Sequence, residues 1–102
     1  MNCDVHVNPD DPHGQTPYLL NVQSELLSDL ATRIVVPLVR SDAFGRRARR
    51  LHPVFTIEGA EVVMATHLLA AIRRRGLGPR VASLLDQRDS IVAAIDVLWS
   101  GV

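Results

Sequence analysis

The side chains able to do chemistry in this chain are few, and their spacing is loose. Its four histidines, His6, His13, His52 and His67, show none of the short ligand intervals of a metal site, so no metal is expected. Ser24 lies in Val22-Gln23-Ser24-Glu25-Leu26 without the glycines of a nucleophile elbow. Glu25 beside it is a candidate base, but a Ser-Glu pair at a strand end is ordinary turn chemistry. Cys3 is the sole cysteine, which excludes an internal disulfide and agrees with a reducing cytoplasm. Its thiol is expected to be inert. Arg75-Gly76-Leu77-Gly78-Pro79 lacks the Gly-Lys-Ser/Thr ending of a phosphate loop and is a turn. No Ser-His-Asp or Cys-His arrangement stands out, so neither a catalytic residue nor a cofactor is expected.

Arginine is the exception. Net charge is zero, yet residues 1–42 hold six acids and two arginines, whereas residues 43–80 hold eight arginines and two acids. The clusters are Gly45-Arg46-Arg47-Ala48-Arg49-Arg50 and Arg73-Arg74-Arg75. Planar guanidinium groups suit both phosphates and carboxylates, so nucleic acid, an acidic protein partner and a plain solvated face are all open. The neutral total argues against general polyanion binding. Tyr18, Phe44, Phe55 and Trp99 are too widely separated to stack successive bases, which weakens single-stranded RNA further.

These groups must be carried by a small domain. The 102 residues are 47% hydrophobic, which suits one packed unit spanning residues 1–102. No apolar run approaches the ~20 residues that cross a bilayer. The polar, acidic start does not resemble a secretory signal, so a cytoplasmic location is expected.

Asp4–Val7 alternates as a strand, followed by a turn-rich stretch up to Pro17. Residues 18–22 predict a second strand. Residues 32–39 are β-branched and predict a central strand, in which Pro37 needs a place where no ladder N–H is required. Residues 41–51 predict a short helical turn. Residues 53–66 predict a hairpin around Glu58-Gly59-Ala60. Residues 67–79 have no clear period and end in a loop. Ser83 with Asp86 resembles a capping box, opening a helix in which Leu84, Ile91, Ile95 and Leu98 share a face. Val92 and Trp99 flank that face, Asp89 and Asp96 lie beyond, and Gly101 suits the C′ position. Several antiparallel strands and one C-terminal helix make an α+β domain or a barrel with a helix.

Two stretches carry a resemblance. Val22-Gln23-Ser24-Glu25-Leu26-Leu27 and Arg33-Ile34-Val35-Val36-Pro37-Leu38 closely resemble the N-terminal half of the CcdB family, toxins of bacterial toxin–antitoxin modules. Asn21 stands where that family has Asp. Residues 84–102, "LLDQRDSIVAAIDVLWSGV", resemble the family's closing segment, and "LHPVFTIEG" and "VVMATHLL" match its middle hairpin more loosely. The resemblance runs from Pro17 to Val102 and does not extend into the first sixteen residues.

The resemblance implies a small SH3-like β-barrel, similar to that of the MazF toxins, with antiparallel strands, a minor sheet and a C-terminal α-helix. It implies a homodimer that is not an enzyme. Such a dimer binds the DNA gyrase A subunit, traps the cleaved gyrase–DNA complex, and is removed by a disordered, acidic CcdA-like antitoxin. Neither a membrane nor direct nucleic-acid binding enters that scheme. The gyrase contact maps onto Ser100, Gly101 and Val102 with Trp99, because Ser100 takes the slot that is Trp in the best-known members. Ser24, Leu26, Leu27 and Asp96 match further contact positions; Leu26 and Leu27 are equally readable as turn residues packed beneath the helix. Arg46, Arg47, Arg73 and Arg74 are assigned to antitoxin contact. The alternatives are a MazF-like endoribonuclease on the same fold, and a non-toxic homologue that only dimerises and binds antitoxin.

Overall fold

A computed structural model describes residues 1–101. Along them run β1 (Asp4–Val7), β2 (Tyr18–Asn21), β3 (Thr32–Arg40), β4 (Val54–Ile57), β5 (Ala60–Met64), β6 (Ala70–Arg73), β7 (Arg80–Ser83) and α1 (Arg88–Ser100). The strands form one curled antiparallel sheet in the order β4-β5-β3-β2-β1-β7, with β6 also on β3. The nine residues of β3 let one strand serve three neighbours. Its middle, residues 35–38, pairs with β2, its first part, residues 32–35, with β6 and its last part, residues 38–40, with β5.

Pro37 sits where β6 has ended and β5 has not begun. Its C=O accepts from the Ala65 N–H at 2.9 Å, so its missing N–H would point into that same gap. The proline therefore costs the ladder nothing, as the sequence requires. The β4–β5 hairpin closes through Glu58 and Gly59, both at positive φ, with Ile57 opposite Ala60. Two left-handed residues match the twist of the flanking strands.

The core lies between one face of this sheet and α1. Val5, Leu20, Val36, Leu38, Phe55 and Met64 meet Ile91, Ala94 and Ile95 there. Burying each isoleucine contributes about 1.5–3 kcal/mol, which is what holds a helix of this length on the sheet.

Two expectations change. β6 and β7 lie in segments without a clear strand signal: Ala70-Ala71-Ile72-Arg73 is poor in β-formers, and it is strand because the first half of β3 needs a partner. Residues 41–51 hold the expected short helical turn, closed by the His52 N–H on the Ala48 C=O at 2.8 Å, within an otherwise irregular loop. Gly45 and four arginines leave no apolar stripe there for a helix to bury. The capping-box expectation is also displaced. Ser83 is the last residue of β7, and its Oγ accepts from the Leu85 N–H at 3.2 Å to open a single 3₁₀ turn, so α1 proper starts at Arg88. The first sixteen residues contribute β1 to the sheet, where it pairs with both β2 and β7.

Candidate functional site

The connection from β2 to β3 is built around a buried amide. Gln23 is 5% exposed; its Nε2 donates to the Leu27 C=O at 2.9 Å and its Oε1 accepts from the Ile34 N–H at 3.0 Å. One side chain thus ties the tip of the connection to the start of β3. The Asn21 Oδ1 accepts from the Gln23 N–H at 2.9 Å, a bond that the carboxylate usual at this position would also make. Ser24 caps the 3₁₀ turn Glu25–Leu27, its Oγ accepting from the Leu26 N–H at 3.1 Å. Arg33 donates to the carbonyls of Ser28, Leu30 and Thr32, each at 2.8 Å, and holds the far side of the loop. Glu25 accepts from Asn2 Nδ2 at 2.9 Å, so the candidate base is engaged in the turn, and no other acid–base partner faces Ser24 Oγ in that bond set.

This scaffold displays apolar side chains. Leu26 is 93% exposed and Leu27 47%, so neither is packed beneath the helix. Leu27 and Ser24 form one wall of a groove of about 450 Å³, and Val92, Asp96 and Trp99 of α1 form the other. Val22, Ile34, Leu69 and Ile95 line it between the two walls. Trp99 is 68% exposed, an unusual state for the largest apolar side chain in the protein. The structure therefore brings together Ser24, Leu27, Asp96 and Trp99 from two distant segments, with Leu26 exposed on the same turn.

The last turn of α1 treats its residues differently. The Ser100 hydroxyl donates back to the Asp96 C=O, so its polar group is spent within the helix. Gly101 is left-handed, at φ 75°, and its N–H reaches the Val97 C=O at 3.1 Å, closing the helix as a C′ glycine does. Trp99, one position before the slot occupied by Ser100, is the residue that faces the groove. Val102 lies outside the described residues.

The arginines fall in two places. Arg73, Arg74 and Arg75 line a pocket of about 370 Å³ with Ala31 and Thr32 at the end of β6. Arg46 and Arg47 are both exposed on the loop after β3, and Arg47 donates from Nη1 to the His52 C=O at 2.9 Å. That loop is latched by a histidine pair that spacing did not reveal. His52 Nδ1 accepts from the Ala48 N–H at 3.0 Å, so its proton is on Nε2, which donates to His67 Nδ1 at 2.9 Å. Phe44 stands edge-on to both rings, with centroids 4.9 Å and 6.2 Å away. Burial, then His67, then the Arg47 charge hold His52 below the ordinary histidine range. Both of its nitrogens are engaged. Cys3 is fully buried, and burial pushes its thiol up, in keeping with an inert residue. No group of three or more potential metal ligands occurs among the described residues. No helix there is long and apolar enough to cross a membrane.

The fold is that of a class of small bacterial toxins. The structure of the Mycobacterium tuberculosis toxin MazF-mt6 is similar over 94% of this chain and 95% of its own, with a TM-score of 0.73 and 15% sequence identity. A direct comparison with curated protein sequences finds no match. The chain belongs to the CcdB family: the family model described as CcdB protein matches residues 2–101. That match extends to the N-terminal segment, which the motif resemblance left out.

Proposed function

We propose that this protein is the toxin of a type II toxin–antitoxin module and acts by binding the A subunit of DNA gyrase. The family and fold are those of such toxins. The observation that carries the gyrase reading is the groove, where Ser24, Leu27, Asp96 and Trp99 line one apolar surface beside the end of α1. A homodimer presents two such surfaces about a two-fold axis, which suits a target that is itself two-fold symmetric. Trp99 fills the role of the large anchor in place of Ser100, and Gly101 with Val102 completes the hook; without a Cβ, Gly101 lets the partner backbone approach closely.

Action is by binding energy alone: the hooks wedge in the opened gyrase dimer, hold the cleaved DNA complex and slow its religation. MazF-mt6 is a toxin of known structure, but at 15% identity the likeness speaks for the fold alone. The engaged nitrogens of His52 argue against an acid–base pair for RNA cleavage. A CcdA-like acidic antitoxin removes the toxin, with Arg46, Arg73 and Arg74 steering its approach through complementary charge. In this scheme the protein works in the cytoplasm, needs no cofactor and makes no direct contact with nucleic acid.

A gyrase cleavage assay tests this reading. Supercoiled plasmid, gyrase, ATP and pure protein, followed by denaturant and protease, are expected to yield linear DNA. The product should vanish when Gly101 and Val102 are deleted. No linear DNA from an intact, folded dimer would overturn the gyrase reading and leave the family and fold in place.

A further inference from the structure

The arginine pocket lies at the end of a strand whose outer edge is bare. β6 pairs with β3 and with no other strand among the described residues. The Ile34 C=O accepts from the Val22 N–H at 3.0 Å and the Pro37 C=O from the Ala65 N–H at 2.9 Å. Even positions of β3 therefore turn their backbone groups toward β2, and odd positions toward β6 and β5. Arg33 and Val35 accordingly form the hydrogen-bonded pairs with Ile72 and Ala70. Ala71 and Arg73, opposite Ile34 and Thr32, turn their N–H and C=O groups away from the sheet. Among the described residues no other backbone bond takes these groups up. Ala71 is exposed, and its methyl group is too small to shield the backbone. The register runs without a bulge and no proline interrupts the strand, so neither of these blocks the approach of a further strand.

We propose that this edge accepts an added β-strand from an acidic, extended segment of a partner protein, whose carboxylates enter the pocket of Arg73, Arg74 and Arg75. The choice of occupant rests on charge. None of the three arginines has an ion-pair partner among the described residues, while Arg40 and Arg80 are paired with Asp42 and Asp4. In an added strand every second side chain projects to the face that carries Thr32 and Arg73, so alternating acids meet the guanidinium groups at the end of the edge. Backbone bonds supply affinity with little demand on sequence, and the arginines set the sign of the partner. The proposal deepens the antitoxin part of the proposed function and rests on it. Its test contains no gyrase, so the two can fail separately.

The probe is an end-capped octapeptide of alternating Glu and Val, titrated into the full-length protein by fluorescence anisotropy. Binding is expected for it and not for the version with Lys in place of Glu. Ala71→Pro removes only an outward N–H and leaves the Ala70 and Ile72 ladder bonds; it is expected to weaken binding at least about tenfold. Arg73→Ala is expected to weaken it about fivefold and to flatten the salt dependence. Amide exchange should slow at Ala71 and Arg73 on binding and stay unchanged at Ile72. If Ala71→Pro does not fold, N-methylation of alternate peptide amides gives the same answer from the ligand side: one alternate set should abolish binding and the other should not.

Unchanged affinity in Ala71→Pro, or equal behaviour of the two methylated sets, would overturn the proposal. So would dissociation of a dimer by Ala71→Pro, which would show a second copy on this edge. Preference for a single-stranded oligonucleotide over the peptide, insensitive to Ala71→Pro, would overturn it in favour of a phosphate-binding patch.

Discussion

The groove and the arginine edge lie at opposite ends of one loop, and they are made in opposite ways. The groove between Ser24–Leu27 and α1 is positioned from beneath, by a buried glutamine, a serine cap and core isoleucines, and what it exposes is apolar. The edge at β6 is positioned only by its pairing to β3, and what it exposes is charge and bare backbone. A surface built on buried hydrogen bonds keeps one shape and selects a partner by fit. An open strand edge beside arginines accepts many sequences and selects by sign. That contrast matches the proposed scheme of one fixed target and one disordered neutraliser.

Gln23→Ala is the hardest blow to the first region. It leaves the Ile34 N–H and the Leu27 C=O without their partner in a site closed to water, so a loss of about 2–4 kcal/mol is expected in urea or thermal unfolding. The gyrase product should fall with it. A variant that kept its stability would show that water replaces the amide and that the groove is not held from beneath.

Trp99→Ala separates display from support. The side chain is 68% exposed, so stability should change by less than about 0.5 kcal/mol. Gyrase affinity should drop about ten- to a hundredfold, as for a central aromatic anchor. Ser100→Ala, by contrast, should leave the affinity within about twofold, because its hydroxyl is bonded back to Asp96. Reversal of these two outcomes, measured in the same cleavage assay, would return the anchor to position 100.

Legibility in the sequence followed the same divide. Strands with β-branched runs, the Glu58-Gly59 hairpin and the helix face of Ile91 and Ile95 carry their own signal, because burial imposes a period on them. β6 carries none: two alanines, an isoleucine and an arginine are strand only through the needs of β3. The start of α1 was shifted because a serine at the end of a strand caps a 3₁₀ turn as readily as an α-helix. Ser24, Leu27, Asp96 and Trp99 entered through family motifs, and the fold then placed them in one groove. The positioning role of Gln23 has no sequence signature, because both its partners are backbone atoms, which no sequence pattern names. His52 and His67 meet because the chain reverses through the β4–β5 hairpin between them, so their separation along the sequence gives no metal or catalytic spacing to recognise.

The two arginine clusters can be told apart in the same terms. Arg47→Ala removes the donor to the His52 C=O and should cost about 1 kcal/mol in stability. Arg46→Ala should leave stability within about 0.5 kcal/mol and slow association of an acidic peptide about twofold at low salt. Equal effects of the two on unfolding would mean that Arg47 does not brace the loop.

The smallest expected effect is a pH dependence confined to that loop. His52 is held neutral, with Nδ1 accepting from Ala48 and Nε2–H donating to His67, and the ionisable side chains beside it are His67 and Arg47. Its folded pKa lies below the ordinary value, so the unfolded chain binds the proton more readily than the folded one. Stability should therefore be complete above about pH 6.5, fall as pH drops below it, and level off beneath the folded pKa. His52→Asn keeps an acceptor for the Ala48 N–H and removes the titration, so the slope of unfolding free energy between neutral and mildly acidic pH should shrink in that variant. Amide exchange should place the acid-sensitive opening at residues 41–53 and leave Gln23 through Leu27 protected. An acid response centred on the groove instead would erase the distinction between the two regions, since the part built on neutral buried amides would then be the part that titrates.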